Sequence, residues 1–231
     1  MKTIIAIGGG NMKEKTTLKI DEQIANLAKT RAGDKRAYAL YIGTASHDFM
    51  PAFNSFRKTY TSCFDIKADC LLTVNVEYSN EKIDEKFEKA DMIYVGGGDT
   101  LFMLKKWQEK GITSKILDAY ERGVIIAGRS AGAVCWFENM YTDSEILNGV
   151  SNEYKLYNGL GVLKGTACPH FNLRESDFLP VFKSSELDLA YGISDDSAIV
   201  FENGNAVKSL SSGGNAYLFT KQEQNIIKNI L

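Results

Sequence analysis

The sequence has no excess of charge of either sign and no long hydrophobic run. Its 231 residues include 27 Lys and Arg against 29 Asp and Glu, so we expect no basic surface for nucleic acid or anionic lipid. The apolar run Ile4–Ile7 ahead of Gly8 is too short for a signal peptide or a membrane-spanning helix. We therefore expect a cytoplasmic protein that binds neither nucleic acid nor a membrane.

Linkers and paired cysteines are also missing. Cys63, Cys70, Cys135 and Cys168 show neither CxxC spacing nor histidines at metal-ligand intervals. We expect reduced, mostly buried thiols, with Cys135 and Cys168 packed in the core rather than reactive. No Pro-rich, Ser-rich or charged stretch divides the chain, so residues 1–231 are predicted to form a single domain.

Short apolar runs alternate with amphipathic stretches along the first half of the chain. Each pair predicts a strand followed by a helix: Thr3–Ile7 and Leu18–Thr30, Ala37–Ile42 and Met50–Tyr60, Ile66–Val76 and Glu81–Lys89, Met92–Val95 and Thr100–Lys110. Strands that are apolar throughout are typical of a parallel sheet with helices on both faces. The sequence therefore predicts an α/β protein.

The second half of the chain is less regular. A strand at Val124–Ala127, a tight turn and a helix opening at Ala133–Phe137 are followed by a loop-rich region that includes Tyr141–Ser144 and Asn152–Gly161. Later strands are predicted at Gly165–Cys168, Ala198–Phe201 and Ala206–Leu210, with Asn203-Gly204-Asn205 as a hairpin turn. The C-terminal Lys221–Leu231 favours no single structure.

Three glycine-rich turns follow predicted strands, where parallel sheets bind their ligands. They are Gly8–Gly10, Gly96–Gly98 and Gly128–Gly132. The third matches the G-x-S-x-G elbow, in which a strained backbone exposes a serine hydroxyl between a strand and a helix. Because a β-branched strand precedes it and a helical stretch follows, Ser130 is the predicted nucleophile of a serine hydrolase.

Backbone amides near Ser130 are the expected oxyanion donors. Because Ser130 is placed at the start of a helix, the N–H of Ala131 is the natural first donor. A second donor must come from a neighbouring loop, and Gly97 or Gly98 offers an amide with no side chain to block approach. The chain contains neither GxGxxG nor GxxxxGK[ST], so nucleotide binding by these glycines is not expected.

A serine nucleophile needs a base, and the chain has only two histidines. His170 closes the predicted strand Gly165–Cys168 and is the predicted base. His47 lies in a polar loop and is expected to be a surface residue.

The orienting carboxylate is not fixed by spacing. Asp195 and Asp196 precede the strand Ala198–Phe201, whereas Asp143 and Glu145 follow the elbow. The residues alone do not decide which of these two pairs contains the orienting carboxylate.

Three motifs occur in a fixed order along the chain. They are Val95-Gly96-Gly97-Gly98-Asp99-Thr100, Gly128-Arg129-Ser130-Ala131-Gly132-Ala133 and Cys168-Pro169-His170-Phe171. In this order and spacing they resemble the peptidase E family, which includes dipeptidase E and cyanophycinase. The resemblance extends from Ile7–Gly10 to Gly192–Ala198 and so spans most of the chain.

The resemblance implies a flavodoxin-like fold related to class I glutamine amidotransferases, with serine in place of their cysteine. Ser130 matches the family nucleophile and His170 its base, while the acid matches Asp195, with Asp143 as the alternative. Gly97 or Gly98 with Ala131 would form the oxyanion hole. The implied substrate is a short peptide, and no metal or organic cofactor is implied. The resemblance does not decide whether the protein forms a homodimer.

Three charged residues bear on the substrate. Dipeptidase E resembles this chain but has Asn after its three glycines and prefers an N-terminal aspartyl residue. Cyanophycinase has Gln near that position, so its polymer substrate is not predicted either. Asp99 would disfavour an acidic substrate here if it lines the pocket. Arg129 and Arg174 are predicted to hold a substrate carboxylate, with solvent-facing charges as the alternative.

Two other classes of function share these residues. An esterase, thioesterase or isopeptidase could use the same elbow, although α/β-hydrolases place the acid before the histidine and Asp195 follows His170. A catalytically silent protein could keep the elbow as a sensor pocket. The favoured prediction is a serine peptidase that cleaves short peptides through an acyl-enzyme.

Overall fold

The computed structural model describes residues 1–222 and 225–231. In chain order its strands are β1 (Thr3–Ile7), β2 (Tyr38–Ile42), β3 (Lys67–Leu71), β4 (Met92–Val95), β5 (Ile125–Arg129), β6 (Phe137–Thr142), β7 (Lys155–Asn158), β8 (Leu163–Pro169), β9 (Leu189–Ile193), β10 (Ser197–Glu202), β11 (Asn205–Ser211), β12 (Ala216–Gln222) and β13 (Asn225–Ile230). Its helices are α1 (Leu18–Ala32), α2 (Met50–Phe64), α3 (Asn80–Lys89), α4 (Thr100–Glu109), α5 (Ile112–Glu121), α6 (Ala131–Val134), α7 (Ser144–Leu147) and α8 (Phe171–Ser184).

The first sheet has the order β11-β10-β1-β5-β4-β2-β3. Five strands lie parallel to one another: β1, β5, β4, β2 and β3. At one edge of this group, β10 pairs antiparallel with β1, and β11 pairs antiparallel with β10. Helices α1 and α2 pack on one face, and α3, α4 and α5 pack on the other. Covered faces explain why these strands are apolar throughout. The fold class predicted from the sequence is therefore confirmed.

A second sheet, which the sequence did not predict, has the order β13-β12-β9-β8-β6-β7. One face shares an apolar cluster with the first sheet, and α8 covers the other face. At the junction, the Phe137 ring lies 5.6 Å from that of Tyr191 and 5.4 Å from that of Phe201. Full burial of such a side chain contributes about 1.5–3 kcal/mol, so aromatic packing holds the two sheets together.

The helix predicted to open at Ala133–Phe137 is instead the single turn α6, followed at once by β6. The carbonyl oxygens of Cys135 and Trp136 accept hydrogen bonds from the backbone of Leu160 and Val162, each at 2.8 Å. These acceptors are therefore not available to a longer helix, whose turns need them. The prediction was wrong because the competing partner lies 25 residues away in sequence, as the pairing of Cys135 with Leu160 shows.

The strand predicted over Ile66–Val76 is also too long, since β3 is confined to its first half. The carboxylate of Asp48 accepts hydrogen bonds from the backbone N–H of Val74 at 2.6 Å and of Asn75 at 3.0 Å. These bonds hold the end of the segment as a loop outside the sheet.

The region expected to be loop-rich contains the end of β6, all of α7 and the edge strand β7. Edge strands carry polar residues, so β7 shows no apolar run. The hairpin at Asn203-Gly204-Asn205 is confirmed, since β10 pairs antiparallel with β11 and Glu202 faces Asn205. The ambiguous stretch Lys221–Leu231 belongs to β12 and β13, except for residues 223 and 224, which lie outside the described residues.

Within the described residues, the structure contains no helix that is both long and apolar enough to cross a membrane.

Candidate active site

Ser130 lies at the turn between β5 and α6, with φ +53° and ψ −113°. Residues other than glycine rarely adopt this backbone conformation, which costs about 1–3 kcal/mol. The Ser130 N–H donates to the carbonyl oxygen of Ile7 at 2.9 Å, and the Ser130 carbonyl accepts from Ala133 and Val134. Hydrogen bonds on both sides therefore hold the serine in its strained turn.

The glycines on either side of Ser130 allow strand and helix to approach closely. A β-carbon at Gly128 or at Gly132 would lie less than 3.0 Å from backbone atoms of Gly132 or of Val95, respectively. The indole N–H of Trp136 donates to the Gly132 carbonyl at 2.8 Å, so this buried oxygen is satisfied. The glycine spacing thus fits the close contacts among β4, β5 and α6 around Ser130.

His170 lies between β8 and α8, in a left-handed conformation with φ +50°. Its Nε2 is 2.9 Å from Ser130 Oγ, and its Nδ1 is 2.6 Å from Asp195 Oδ1. A neutral imidazole that donates from Nδ1 to a carboxylate keeps Nε2 free to accept the serine proton. The arrangement can therefore activate the hydroxyl for attack on a carbonyl carbon.

Asp195 lies where the chain crosses from β9 in the second sheet to β10 in the first. Its backbone N–H donates to Oδ1 of Asn172 at 2.8 Å, and Asn172 Nδ2 lies 3.4 Å from Asp195 Oδ2. Asn172 thus fixes the loop that carries the carboxylate. Sequence reasoning missed this residue, although its position two residues after His170 in the first turn of α8 was a usable signal.

Asp143, the alternative acid, contacts Arg174 rather than His170. Arg174 Nη2 lies 2.8 Å from Asp143 Oδ2, and the guanidinium is 4.6 Å from the centre of the Tyr154 ring. Arg174 is only 4% exposed. The residue predicted to hold a substrate carboxylate is thus enclosed and already paired with a carboxylate of the protein.

Asp99 does not line the cleft beside Ser130. Its Oδ1 accepts from the backbone N–H of Phe102 at 3.1 Å, and its Oδ2 accepts from Asn148 Nδ2 at 2.6 Å. The side chain therefore caps α4 and is 7% exposed. The expected exclusion of acidic substrates depended on Asp99 lining the pocket, and the structure does not place it there.

The other histidine and the cysteines do not line the cleft beside Ser130. His47 packs its ring 4.0 Å from that of Phe102 and is absent from the cleft lining. Cys135 and Cys168 are buried, and burial raises the pKa of both thiols far above the usual value. Buried thiols of this kind are poor nucleophiles. Cys63, in contrast to the expectation for the cysteines, is exposed.

Amide groups converge near Ser130. A β-carbon at Gly97 would lie 3.2 Å from Ser130 Cβ, and Gly98 has φ +138° against the backbone of Ala45, a position that only glycine fits. Among the residues that the structure describes, no backbone acceptor pairs with the N–H of Gly97, Gly98 or Ala131. These three amides are therefore available to a ligand.

The first glycine turn, Gly8–Gly10, lies against the His170 and Asp195 pair. A β-carbon at Gly9 would lie 2.5 Å from His170 Nδ1 and even closer to Asp195 Oδ1. The position thus has no room for a side chain while the imidazole and carboxylate are hydrogen bonded. Sequence reasoning assigned this turn no role.

Gly9→Ala is expected to lower kcat/KM for peptide hydrolysis by about 10²-fold or more, because a displacement of about 1 Å at a reacting group has that effect. Steady-state kinetics on a dipeptide would measure it, with circular dichroism to verify folding. Gly33→Ala is the control for alanine at a positive φ, since Gly33 has φ +64° but a β-carbon there meets no described atom within 4 Å. Wild-type kinetics in the folded Gly9→Ala protein would contradict the prediction.

A cleft of about 280 Å³ opens beside the serine. It is lined by Gly10, Gly97, Gly98, Arg129, Ser130, Asp143, Leu147 and His170. The Leu147 side chain is 58% exposed at this surface. The volume lies at the small end of ligand sites, so the cleft suits a ligand of a few residues.

Known proteins are similar to this chain in sequence and in fold. The sequence model of peptidase family S51 matches residues 4–209. The chain is 33% identical to the uncharacterized peptidase YgaJ of Bacillus subtilis (strain 168), across 98% of this chain and 95% of that protein. It is 37% identical to peptidase E of Salmonella newport (strain SL254), across 39% of this chain and 41% of that protein. A peptidase from an acI-B1 Actinobacterium has a similar fold, with a TM-score of 0.69 and 16% identity over 100% of this chain and 97% of the other.

Proposed function

Since the chain belongs to peptidase family S51 and is a serine peptidase, we propose that it hydrolyses short peptides through an acyl-enzyme formed on Ser130. The observation that carries this proposal is the continuous chain of hydrogen bonds from Ser130 through His170 to Asp195, with distances of 2.9 and 2.6 Å. Serine, imidazole and carboxylate in this order are the groups of a catalytic triad.

In the first half of the reaction, His170 Nε2 accepts the hydroxyl proton as Ser130 Oγ attacks the scissile carbonyl carbon. Asp195 stabilises the imidazolium that forms, without taking its proton. The carbonyl oxygen gains negative charge and accepts hydrogen bonds from Ala131 and from Gly97 or Gly98. Collapse of the intermediate breaks the C–N bond, and the leaving amine takes the proton from His170.

In the second half, water attacks the ester on Ser130 while His170 accepts its proton. The same amides stabilise the second intermediate, and its collapse returns the proton to Ser130 Oγ. The products are an amine and a carboxylic acid.

The charges of the cleft support a short, unblocked peptide as substrate. Its lining includes one carboxylate, on Asp143, and one guanidinium, on Arg129. A dipeptide or tripeptide carries an ammonium group and a carboxylate within a few ångströms of the scissile bond. Arg129 can pair with the carboxylate, and the ammonium can approach Asp143, whose carboxylate also contacts Arg174. A dipeptidase or aminopeptidase is therefore the favoured activity.

The absence of disulfides among the described cysteines supports a proposed cellular compartment. Cys63, Cys70, Cys135 and Cys168 are free. Free cysteines, one of them exposed, suit a reducing compartment. The cytoplasm is the proposed site of action.

Labelling with a fluorophosphonate tests the proposal. The wild type is expected to gain one phosphonyl adduct, located by mass spectrometry on Ser130, and to cleave some members of a dipeptide panel with acidic, basic and neutral N-terminal residues. Ser130→Ala is expected to do neither, whereas the control Ser184→Ala retains both. An adduct on another residue would contradict the assignment of the nucleophile, and a wild type that neither labels nor cleaves would favour a silent binding protein.

A further inference from the structure

A second cavity adjoins the cleft on the face of the first sheet that α1 and α2 cover. Its volume is about 110 Å³, and its lining includes Asn11, Lys13, Tyr94 and Arg129. Arg129 lines this cavity and the cleft of Ser130 as well. The two spaces therefore meet at the residue that immediately precedes the proposed nucleophile. We call the second space the Arg129 cavity.

The hydroxyl of Tyr94 is the most unusual group in the Arg129 cavity. The side chain is 2% exposed, and its hydroxyl has no hydrogen-bond partner among the described residues. Burial raises the pKa of Tyr94, so the group stays protonated and is a donor. A buried hydroxyl without a partner is unfavourable. A ligand that accepts a hydrogen bond in the cavity would remove this cost.

Two further side chains of the cavity offer N–H donors to a ligand. Arg129 Nη1 donates to the carbonyl oxygen of Gly10 at 2.6 Å, which uses one of the five N–H groups of a guanidinium. Asn11 Oδ1 accepts from the backbone N–H of Lys13 at 3.0 Å and of Glu14 at 3.2 Å. The amide N–H groups of Asn11 are left as donors by this turn.

The charge of the Arg129 cavity is positive. Arg129 and Lys13 are the charged residues of its lining, which lies within the described residues and includes no carboxylate. The buried carboxyl nearby is Asp21, whose oxygens accept from Thr17 at 2.8 Å and Tyr60 at 3.1 Å. Burial raises the pKa of Asp21 to about 6. The Arg129 charge acts on Asp21 from a distance, but the Asp21 oxygens bond to Thr17 and Tyr60. Within the described part of the chain, no carboxylate lies within ion-pair distance of the Arg129 guanidinium.

We propose that the Arg129 cavity binds a small oxyanion of the carboxylate or phosphate class through Arg129, Asn11 and the Tyr94 hydroxyl. Arginine binds such anions through two parallel N–H donors. The anion has two chemical sources, a carboxylate of the peptide substrate or a free inorganic ion. The first source rests on the proposed peptidase function, whereas anion binding itself does not.

If a substrate carboxylate occupies the cavity, Arg129 holds the peptide directly beside Ser130. The scissile carbonyl is then positioned by a contact made away from the reacting atoms, which is how remote binding energy contributes to rate. Asp99 does not oppose such a substrate, because its carboxylate is bound to Phe102 and Asn148.

The first experimental arm compares substrates that differ by one carboxylate. The pairs are Asp-Leu against Asn-Leu, for the N-terminal side chain, and Ala-Leu against its C-terminal amide. The wild type is expected to prefer the acid of one pair by about 10-fold or more in kcat/KM, and Tyr94→Phe to reduce this preference several-fold. Tyr38→Phe removes a hydroxyl bonded to Asp69, and neither residue lines the cavity, so this variant is expected to keep the preference.

The second arm measures binding of inorganic phosphate by isothermal titration calorimetry and needs no catalysis. Asn11→Asp keeps the acceptor of the turn but replaces the amide donor with a negative charge. If a free anion is the ligand, this variant and Tyr94→Phe are expected to weaken phosphate binding about 10-fold, while Tyr38→Phe does not.

The outcomes separate the two proposals. A change in either arm supports the Arg129 cavity as an anion site and identifies the source. Equal preference and equal phosphate binding in the wild type, Tyr94→Phe and Asn11→Asp would overturn it. A wild type that binds phosphate through Tyr94 but cleaves no peptide would contradict the proposed function and leave the anion site supported.

Discussion

Ser130→Ala is expected to lower kcat for dipeptide hydrolysis by about 10⁶-fold, the effect of removing the nucleophile from a serine peptidase. The methyl group leaves the strained turn and the cleft intact, so binding of an uncleaved peptide is expected to change little. End-point assays of product after several hours of incubation, with the protein purified free of host peptidases, would measure the residual rate. Retention of more than about 1% of wild-type kcat would contradict the proposed role of Ser130.

The same reasoning predicts that the loss is not additive. Every proton transfer proposed for His170 serves the reaction at Ser130, so His170→Ala alone should cost nearly as much as Ser130→Ala, and the double variant should be no slower than the slower single variant. Independent roles for the two residues would instead multiply their effects. Kinetics of the two single variants and the double variant under one set of conditions would distinguish these outcomes.

Asp195→Asn is expected to lower kcat/KM by about 10⁴-fold while the protein stays folded. Asp195 Oδ1 lies 2.6 Å from His170 Nδ1. An amide at this position can donate to Nδ1, which leaves the proton on Nε2 and removes the acceptor for the serine hydroxyl. Kinetics with a dipeptide, together with the tautomer of His170 observed by ¹⁵N NMR, would test this cause directly.

Asp143→Asn is the matched control for that substitution. The carboxylate of Asp143 faces Arg174 and not His170, so kcat is expected to stay within about 10-fold of the wild type. KM is expected to rise, since a charge is lost from the cleft wall, and the melting temperature to fall, since buried Arg174 loses its partner. If Asp143→Asn lowered kcat as much as Asp195→Asn, the alternative acid would be the correct one.

The sequence predicted the parts of the site that depend on short segments. Ser130 follows an apolar strand and is flanked by glycines two residues away on each side, and both features act within one turn of chain. His170 was one of only two histidines. The structure brings Ser130, His170 and Asp195 within hydrogen-bond distance, as the order of the motifs had suggested.

What the sequence did not predict depends on contacts between distant segments. The crossing from β9 to β10 determines that Asp195 rather than Asp143 lies beside His170, and a pattern of residues does not reveal this crossing. The contact of Gly9 with His170 and Asp195 joins three separate parts of the chain. Arg174 is charged and follows a motif, so its burial against Asp143 and Tyr154 was not apparent.

The second sheet was missed for a related reason. Its strands β7 and β13 are polar edge strands, and β6 directly follows an elbow at which a helix was expected. A continuous apolar run identifies a strand covered on both faces, as for β1, whereas a short edge strand such as β7 has no such run. The first sheet was therefore predictable strand by strand, and the second was not.

The division of the site between the sheets affects when a newly made chain gains activity. Ser130 ends a strand of the first sheet, whereas His170 follows a strand of the second. During synthesis the five parallel strands and the serine leave the ribosome before the histidine and Asp195. Until the second sheet docks, Ser130 lacks the imidazole that we propose as its base. We therefore expect an incompletely folded copy to cleave none of its neighbours while their loose segments are exposed. Recovery of fluorophosphonate labelling during refolding would report the moment at which the two sheets join.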